Sequence, residues 1–278
     1  MNLYNKTSFQ ISRLVTQSYS TSFSIATSLF EKEMRDAIYS IYGFVRFADE
    51  IVDTFQEYDK KYLLEKFEND YYDAVKKGIS LNPVLQSFQE TVKKYSIPDE
   101  NIQAFLTSMK FDLVKNHYND KTEIDKYIYG SADAVGLMCL KVFCNGDDKL
   151  YKELEKPAMK LGSAFQKVNF LRDLRNDTRV LGRTYFPEIQ DERFDEENKL
   201  IVIKDIENDF NSAFAGIKKL PKKSRLAVLI AYYYYRSLLK KIKKVPATKI
   251  IESRIRISNV KKMFLILKSI FMIKFRLI

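Results

Sequence analysis

Apolar residues recur along this chain at intervals of three and four, stretch after stretch, and no segment shows sustained two-residue alternation. That periodicity predicts helices and no sheet. The pattern places helices near 4–26, 31–57, 60–78, 83–95, 99–118, 122–143, 147–177, 203–217, 222–244 and 248–275. Breaks fall at Asn82-Pro83, Ile97-Pro98-Asp99, Asn145-Gly146-Asp147 and Val245-Pro246, all residue types that interrupt a helix. Ser28 followed by Glu31 reads as a capping box opening the second of these helices. The stretch 179–202 loses the periodicity and holds Gly182 and Pro187, so it is expected to be a loop. A loop adjoining a site on rigid helices is suited to close over it.

Two of the helices are apolar nearly all round yet carry a polar stripe. Arg35, Tyr39, Tyr42, Arg46, Asp49 and Asp53 step by four and three along one face, against Ala37, Ile38, Ile41, Phe44, Val45, Phe47, Ile51 and Val52. Gln166, Asn169, Asp173 and Asp177 do the same against Ala164, Phe165, Val168, Phe170, Leu171 and Leu174. Side chains four apart on a helix have Cβ atoms only about 5–6 Å apart, so paired carboxylates there repel unless a cation lies between them. One DxxxD pair is ordinarily a solvated face. Two pairs, each with an arginine beside it (Arg46, Arg172) and each set in greasy sequence, point to two halves of a cation site. Mg²⁺ takes oxygen ligands and is commonly held by one or two carboxylates plus substrate phosphates, which directs attention to diphosphate chemistry.

Composition narrows the rest. With 278 residues and 46% hydrophobic content the chain can bury a large core, and only 8 Gly and 6 Pro leave few breakers, which favours long helices. No internal repeat appears, and a single all-α domain over 1–278 is the simplest organisation. The single His117 excludes a His-rich metal site, and no nucleophile motif accompanies it. Cys139 and Cys144 are too few for a zinc site and read as reduced core thiols. MNLYNKTSFQ has no apolar signal region, so a cytoplasmic location is expected. A net charge of +11 admits nucleic acid, an anionic lipid surface or an anionic small substrate as partner. Basic residues concentrate toward the C-terminus, where KKMFLILKSIFMIKFRLI mixes charge with large apolar side chains. Lys268, Lys274 and Arg276 interrupt it too often for a bilayer span. A basic amphipathic helix at about 263–278 lying on a membrane surface and a final core helix both fit.

The motifs STSF at 20–23, RDAIYSIYGFVRFADEIVD at 35–53, YIYGSADAVGLMCLKVF at 127–143 and LGSAFQKVNFLRDLRNDTRVLGRTYFP at 161–187 resemble the squalene/phytoene synthase family, most closely its bacterial phytoene synthases. The resemblance runs over nearly the whole chain. It implies an all-α terpene-synthase (isoprenoid synthase) bundle around a central cavity, in which two prenyl diphosphates are joined head to head. By that match Asp49, Asp53, Asp173 and Asp177 are the catalytic aspartates. With Asn169 they are the Mg²⁺ ligands, Mn²⁺ serving as a substitute. Ser20, Ser22, Tyr42, Arg46, Gln166 and Arg172 face diphosphate, and Tyr235 closes the pocket. Glu50 replaces an aspartate of the usual first motif, but lies about 100° from Asp49 around the helix and need not be a ligand. Lys261 and Lys262 stand where many members carry arginine.

The small residues Gly130, Ser131, Ala132, Ala134 and Gly136 serve either close helix packing or a prenyl tunnel wall. Thr27 is modest in size where shorter-chain members of the family tend to be bulkier, so the resemblance favours a C20 substrate. The expected reaction is therefore condensation of two geranylgeranyl diphosphates to phytoene through a cyclopropylcarbinyl diphosphate, a step of carotenoid biosynthesis, with no nicotinamide and no nucleic acid. The enzyme would work in the cytoplasm, peripherally bound to the inner face of the membrane. Rival readings are squalene or dehydrosqualene formation from farnesyl diphosphate, a head-to-tail elongase, and an inactive relative acting as an assembly factor. The elongase is disfavoured because neither motif reads DDxxD, and the assembly factor because all four aspartates are present.

Overall fold

Asn82 ends one apolar run and begins the next, its side-chain oxygen accepting from the Val84 amide at 3.0 Å ahead of Pro83 in the first turn. Such local chemistry sets most boundaries of this computed structural model, which describes residues 2–118, 120–187 and 194–275. The described residues form helices and no strand: α1 (Leu3–Tyr19), α2 (Thr21–Ser28), α3 (Lys32–Asp53), α4 (Lys60–Lys77), α5 (Pro83–Tyr95), α6 (Asp99–Val114) and α7 (Lys121–Ile128). A π-turn (Tyr129–Asp133) leads directly into α8 (Ala134–Cys144). Then come α9 (Asp148–Arg179), α10 (Glu196–Lys219), α11 (Lys222–Lys244), α12 (Ala247–Glu252) and α13 (Asn259–Lys274). The all-α class is as the periodicity predicts.

Several boundaries differ from the sequence reading, each for a local reason. The helix expected over 4–26 is divided at Ser20, whose extended backbone ends α1 and whose hydroxyl accepts from the Phe23 amide to cap α2. The capping box at Ser28 does not form: Ser28 donates back to the Ile25 carbonyl at 2.7 Å, and Glu31 precedes α3 without a side-chain cap. The loop expected over 179–202 is shorter. α9 runs to Arg179, and Asp195 caps α10 by accepting from Asn198; residues 188–193 lie outside the described ones. The final helix over 248–275 is two helices joined by an extended strap, 253–258.

α3 is enclosed by α1, α4, α5, α6 and α8. Its Phe44, wholly buried, stacks on Phe88 at 4.0 Å and meets Phe67, Tyr71 and Phe105. Truncating such a core ring costs about 3–5 kcal/mol, so the helix that carries the first acidic pair is firmly held. α9 is embedded equally, against α8, α10, α11 and the π-turn. Its approach to the π-turn is set by Gly162, where a Cβ would lie 2.8 Å from the Ala132 carbonyl oxygen. Gly130 plays the same part on the other side, facing the Ala104 carbonyl of α6. Among the described residues one stretch, Lys121–Cys144, is long and apolar enough by composition to cross a membrane, but 61% of its apolar 18-residue window is buried within the bundle.

Candidate active site

α3 and α9 present their polar stripes to one cavity of about 900 Å³, whose lining runs from Tyr19 at the end of α1 to Ile266 in α13. Ser20, Ser22, Tyr42, Arg46, Asp49, Gln166, Asn169, Arg172, Asp173 and Tyr235 all line it, so ten predicted site residues are brought together. Asp53 and Asp177 are not part of the lining; each lies one helical turn beyond its partner. Much of the remaining wall is built of small and medium residues: Ala132, Val135, Gly136, Ala158, Leu161 and Gly162, together with Ile38, Ile41 and Thr27. Gly136 and Ala132 therefore serve the cavity, whereas Gly130 serves helix packing.

The polar end is arranged by aromatic stacking and arginines. Phe23 stacks on Tyr42 at 5.0 Å, and burial pushes the Tyr42 hydroxyl up to about 12. The Arg46 guanidinium lies 4.4 Å above the Tyr19 ring and pairs with Glu50. Glu50 is thereby engaged away from Asp49, as its angular position implied. Tyr235 stacks on Phe165 at 4.0 Å and donates to the Asn169 side-chain oxygen at 3.3 Å. Asp173 accepts from two arginines, Arg172 at 2.5 Å and Arg254 at 2.7 Å.

Asp49 and Asp177 have no ion-pair partner among the described residues. Burial, and then the charge of Asp53, lift the Asp49 carboxyl to about 7. Burial, then Asp173 and Asp53, lift Asp177 to about 8. Although Arg46 opposes the shift of Asp49, and Arg183 and Arg172 that of Asp177, carboxylates from both helices thus feel one another and two of them have no direct ion pair. Together with the Asn169 amide oxygen they form an all-oxygen donor set, which suits Mg²⁺ or Mn²⁺ and not a soft metal. Among the described residues no three acidic, His or Cys side chains converge on one point. Asp53 and Asp173 are instead turned toward arginines, Arg183 and Arg254.

Three charged residues of this region, Arg254, Arg183 and Asp112, were not found from sequence, whereas Lys262 belongs to the basic C-terminal motif named there. Arg254 was read as mid-helix but sits on the extended strap, from which it reaches Asp173; Lys262 also lines the cavity, with its ammonium 5.9 Å from the Tyr234 ring. Arg183, in the loop after α9, is almost fully buried and donates to Asp53 at 2.7 Å. Asp112 of α6 lies beneath it, 3.9 Å away, its carboxyl lifted by burial to about 7 although Arg183 opposes this. The one available signal was Arg183 itself, a cation six residues past Asp177 in a stretch without periodicity. The two cysteines are free, and burial pushes Cys139 up to about 12, as expected of inert core thiols.

The fold and the sequence have known counterparts. The chain is 30% identical over 192 residues to the phytoene synthase of Arthrospira platensis, a match covering 65% of this chain and 61% of that protein. It is 28% identical over 246 residues to the chloroplastic phytoene synthase 1 of Solanum lycopersicum, covering 82% of this chain and 59% of that one. The matches thus span about six-tenths of these relatives' lengths. Among solved structures a dehydrosqualene synthase in complex with ligand superposes with a TM-score of 0.82 at 20% identity, over 97% of this chain and 98% of that one. The squalene synthase HpnC of Alicyclobacillus acidocaldarius superposes at 0.76 with 20% identity, over 88% and 96%. Those likenesses establish the isoprenoid synthase fold. The squalene/phytoene synthase model matches residues 16–197, and the chain belongs to that family.

Proposed function

We propose that this chain joins two geranylgeranyl diphosphates head to head to give phytoene, releasing diphosphate, without a nicotinamide. The observation that carries the reading is a single cavity lined by carboxylates from two helices, by Arg46, Arg172, Arg254 and Arg256, and by a long apolar wall. Its volume is near the top of the usual range for ligand pockets, about 300–1,000 Å³, as two long prenyl chains require. The lining draws on residues from α1 to α13, which supports treating the chain as one working domain.

In this reading Ser20, Ser22, Tyr42 and Gln166 orient the diphosphates, while Arg46, Arg172 and Arg254 offset their charge. Mg²⁺ or Mn²⁺, held by Asp49, Asp53, Asn169, Asp173 and Asp177, would supply further neutralisation of the departing diphosphate. Cleavage of the C1–O bond in one substrate leaves an allylic cation, which the double bond of the other attacks. Loss of a proton closes the cyclopropane of a cyclopropylcarbinyl diphosphate. A second C–O cleavage, rearrangement and a final proton loss to released diphosphate give the C1–C1′ triene. The rings of Phe23, Tyr42, Phe165 and Tyr235 exclude water from the cations and present π faces to them.

A membrane surface is the proposed place of work. α13 turns Leu265 and Ser269 inward but leaves Val260, Met263, Phe264, Leu267 and Phe271 more than half exposed. Lys261, Lys268 and Lys274 are distributed among them, the pattern of a helix lying in an anionic lipid interface. The same helix lends Lys262, Leu265 and Ile266 to the cavity, which places the site beside that face.

The decisive experiment gives the purified protein C20 or C15 diphosphate with Mg²⁺, with and without NADPH. Phytoene from the C20 substrate, independent of NADPH, is expected. Preference for the C15 substrate would move the chain to squalene or dehydrosqualene formation, and no product from either would favour a non-catalytic relative.

A further inference from the structure

Arg183 makes its contacts in a way that a simple counter-charge would not. One guanidinium nitrogen, Nη1, donates to Asp53 Oδ1 at 2.7 Å; the other, Nη2, donates to the Asp112 carbonyl at 3.0 Å and the Val52 carbonyl at 3.3 Å. Most of its hydrogen bonds therefore go to backbone at the end of α3 and in α6, groups that stay in place when a cation arrives. Its own amide donates to the Asp177 carbonyl at 2.7 Å, which fixes the residue to the end of the second acidic helix. Asp112 is anchored in turn, its Oδ2 accepting from the Tyr127 hydroxyl at 2.8 Å. Tyr127 stacks with Tyr185 at 5.3 Å, and Tyr185 lies on Phe170 of α9 at 4.0 Å. Asp112 Oδ1 has no hydrogen-bond partner and faces Arg183 at 3.9 Å.

We infer that Arg183, anchored by Asp112, is a positioning residue that holds Asp53 by one carboxylate oxygen and leaves the other free for a divalent cation. The inference rests on the metal and diphosphate reading of the site. The planar guanidinium fork is what meets three acceptors at once; a lysine ammonium on a flexible stem does not reproduce that geometry. A competing account treats Arg183 as a stand-in cation that metal must displace. The two accounts differ in sign: loss of a stand-in would tighten Mg²⁺ binding, whereas loss of a positioning arm weakens it.

The test titrates Mg²⁺ in the presence of inorganic diphosphate and follows the thermal unfolding midpoint, with no prenyl substrate and no turnover. Groups that orient a metal ligand typically matter about 10–100-fold in metal affinity. The half-saturating Mg²⁺ concentration is therefore expected to rise by that factor in R183Q and equally in R183K. A value at or below wild type in R183Q overturns the inference, as does full recovery in R183K, since any positive charge would then suffice. If R183Q does not fold, D112N decides: it keeps the volume and the acceptor for Tyr127 while removing the anchoring charge, and unchanged Mg²⁺ dependence there overturns the inference. Wild-type protein that shows no Mg²⁺-dependent stabilisation by diphosphate would overturn the metal reading itself, an outcome distinct from the others.

Discussion

Asp49→Asn should make the metal-free protein more stable while abolishing turnover. A carboxyl held near 7 in the folded chain, against about 3.9 when unfolded, binds its proton more tightly in the fold. Its ionisation therefore costs stability, which is lost progressively as the pH rises from about 3.9 to about 7, and the cost is absent only below the lower value. Three units correspond to about 4 kcal/mol at 1.36 kcal/mol each, an upper bound. Asp49 faces the cavity, where water solvates part of the charge, so about 1–3 kcal/mol is expected at pH 8. The substitution keeps the side-chain volume and removes the charge. Denaturant titrations in EDTA at pH 8 and pH 3.5 measure it: a gain at the higher pH and near equality at the lower, below the unfolded carboxyl pKa. Adding Mg²⁺ with diphosphate should then reverse the order, stabilising wild type and leaving the variant behind. A variant no more stable than wild type at pH 8 would refute the reasoning, because Asp49 could not then be a buried, uncompensated charge.

The other expectations concern separate parts of the molecule. Replacing Met263, Phe264, Leu267 and Phe271 together by Ser should weaken binding to anionic vesicles by about 10²–10³-fold, since each exposed side chain contributes roughly 1 kcal/mol on partial burial; sedimentation that matches wild type would show the face to be covered otherwise. Asp133, buried against Ser163 and lifted to about 7 by burial, should cost stability above neutral pH despite Lys160 and Lys167 nearby. D133N is therefore expected to gain about 1–3 kcal/mol at pH 8.5 and nothing at pH 3.5, below the unfolded carboxyl pKa, and equal stability at both would contradict this. Thr27, nearly fully buried in the cavity wall, is a place to shorten the tunnel: Thr27→Phe should shift the C20/C15 preference toward C15 by about tenfold, as competition between the two diphosphates would measure. An unchanged ratio would place the chain ends elsewhere.

What the sequence disclosed was whatever a single helix repeats. The stripes on α3 and α9 obey the 3.6-residue period, so Tyr42, Arg46, Asp49, Gln166, Asn169 and Asp173 could be placed on one cavity before any coordinates. Ser20 and Ser22 came only from the resemblance, and the cap at Ser20 shows why. A serine inside an apolar run looks the same whether it interrupts a helix or rides on it. The first turn of α10 was read as loop because Glu196 and Glu197 break the apolar pattern, yet acidic residues favour a helix N-terminus. Arg183, Asp112 and Arg254 were out of reach for another reason. Their partners lie 130, 71 and 81 residues away, and such contacts leave no periodic trace.

The close approach of α9 to the π-turn has a bearing on how such an enzyme could be retuned. At Gly162 the spacing is fixed by main chain, with the Ala132 carbonyl where a methyl group would have to go. No rotamer change can alter the approach at this point, because no side chain stands between the two backbones. Gly162 is a fixed point of the wall, whereas side chains such as Thr27 on α2 can adjust the bore in steps. Variation in chain length among descendants of this sequence should therefore be recorded at such side chains, while the glycine itself stays the same.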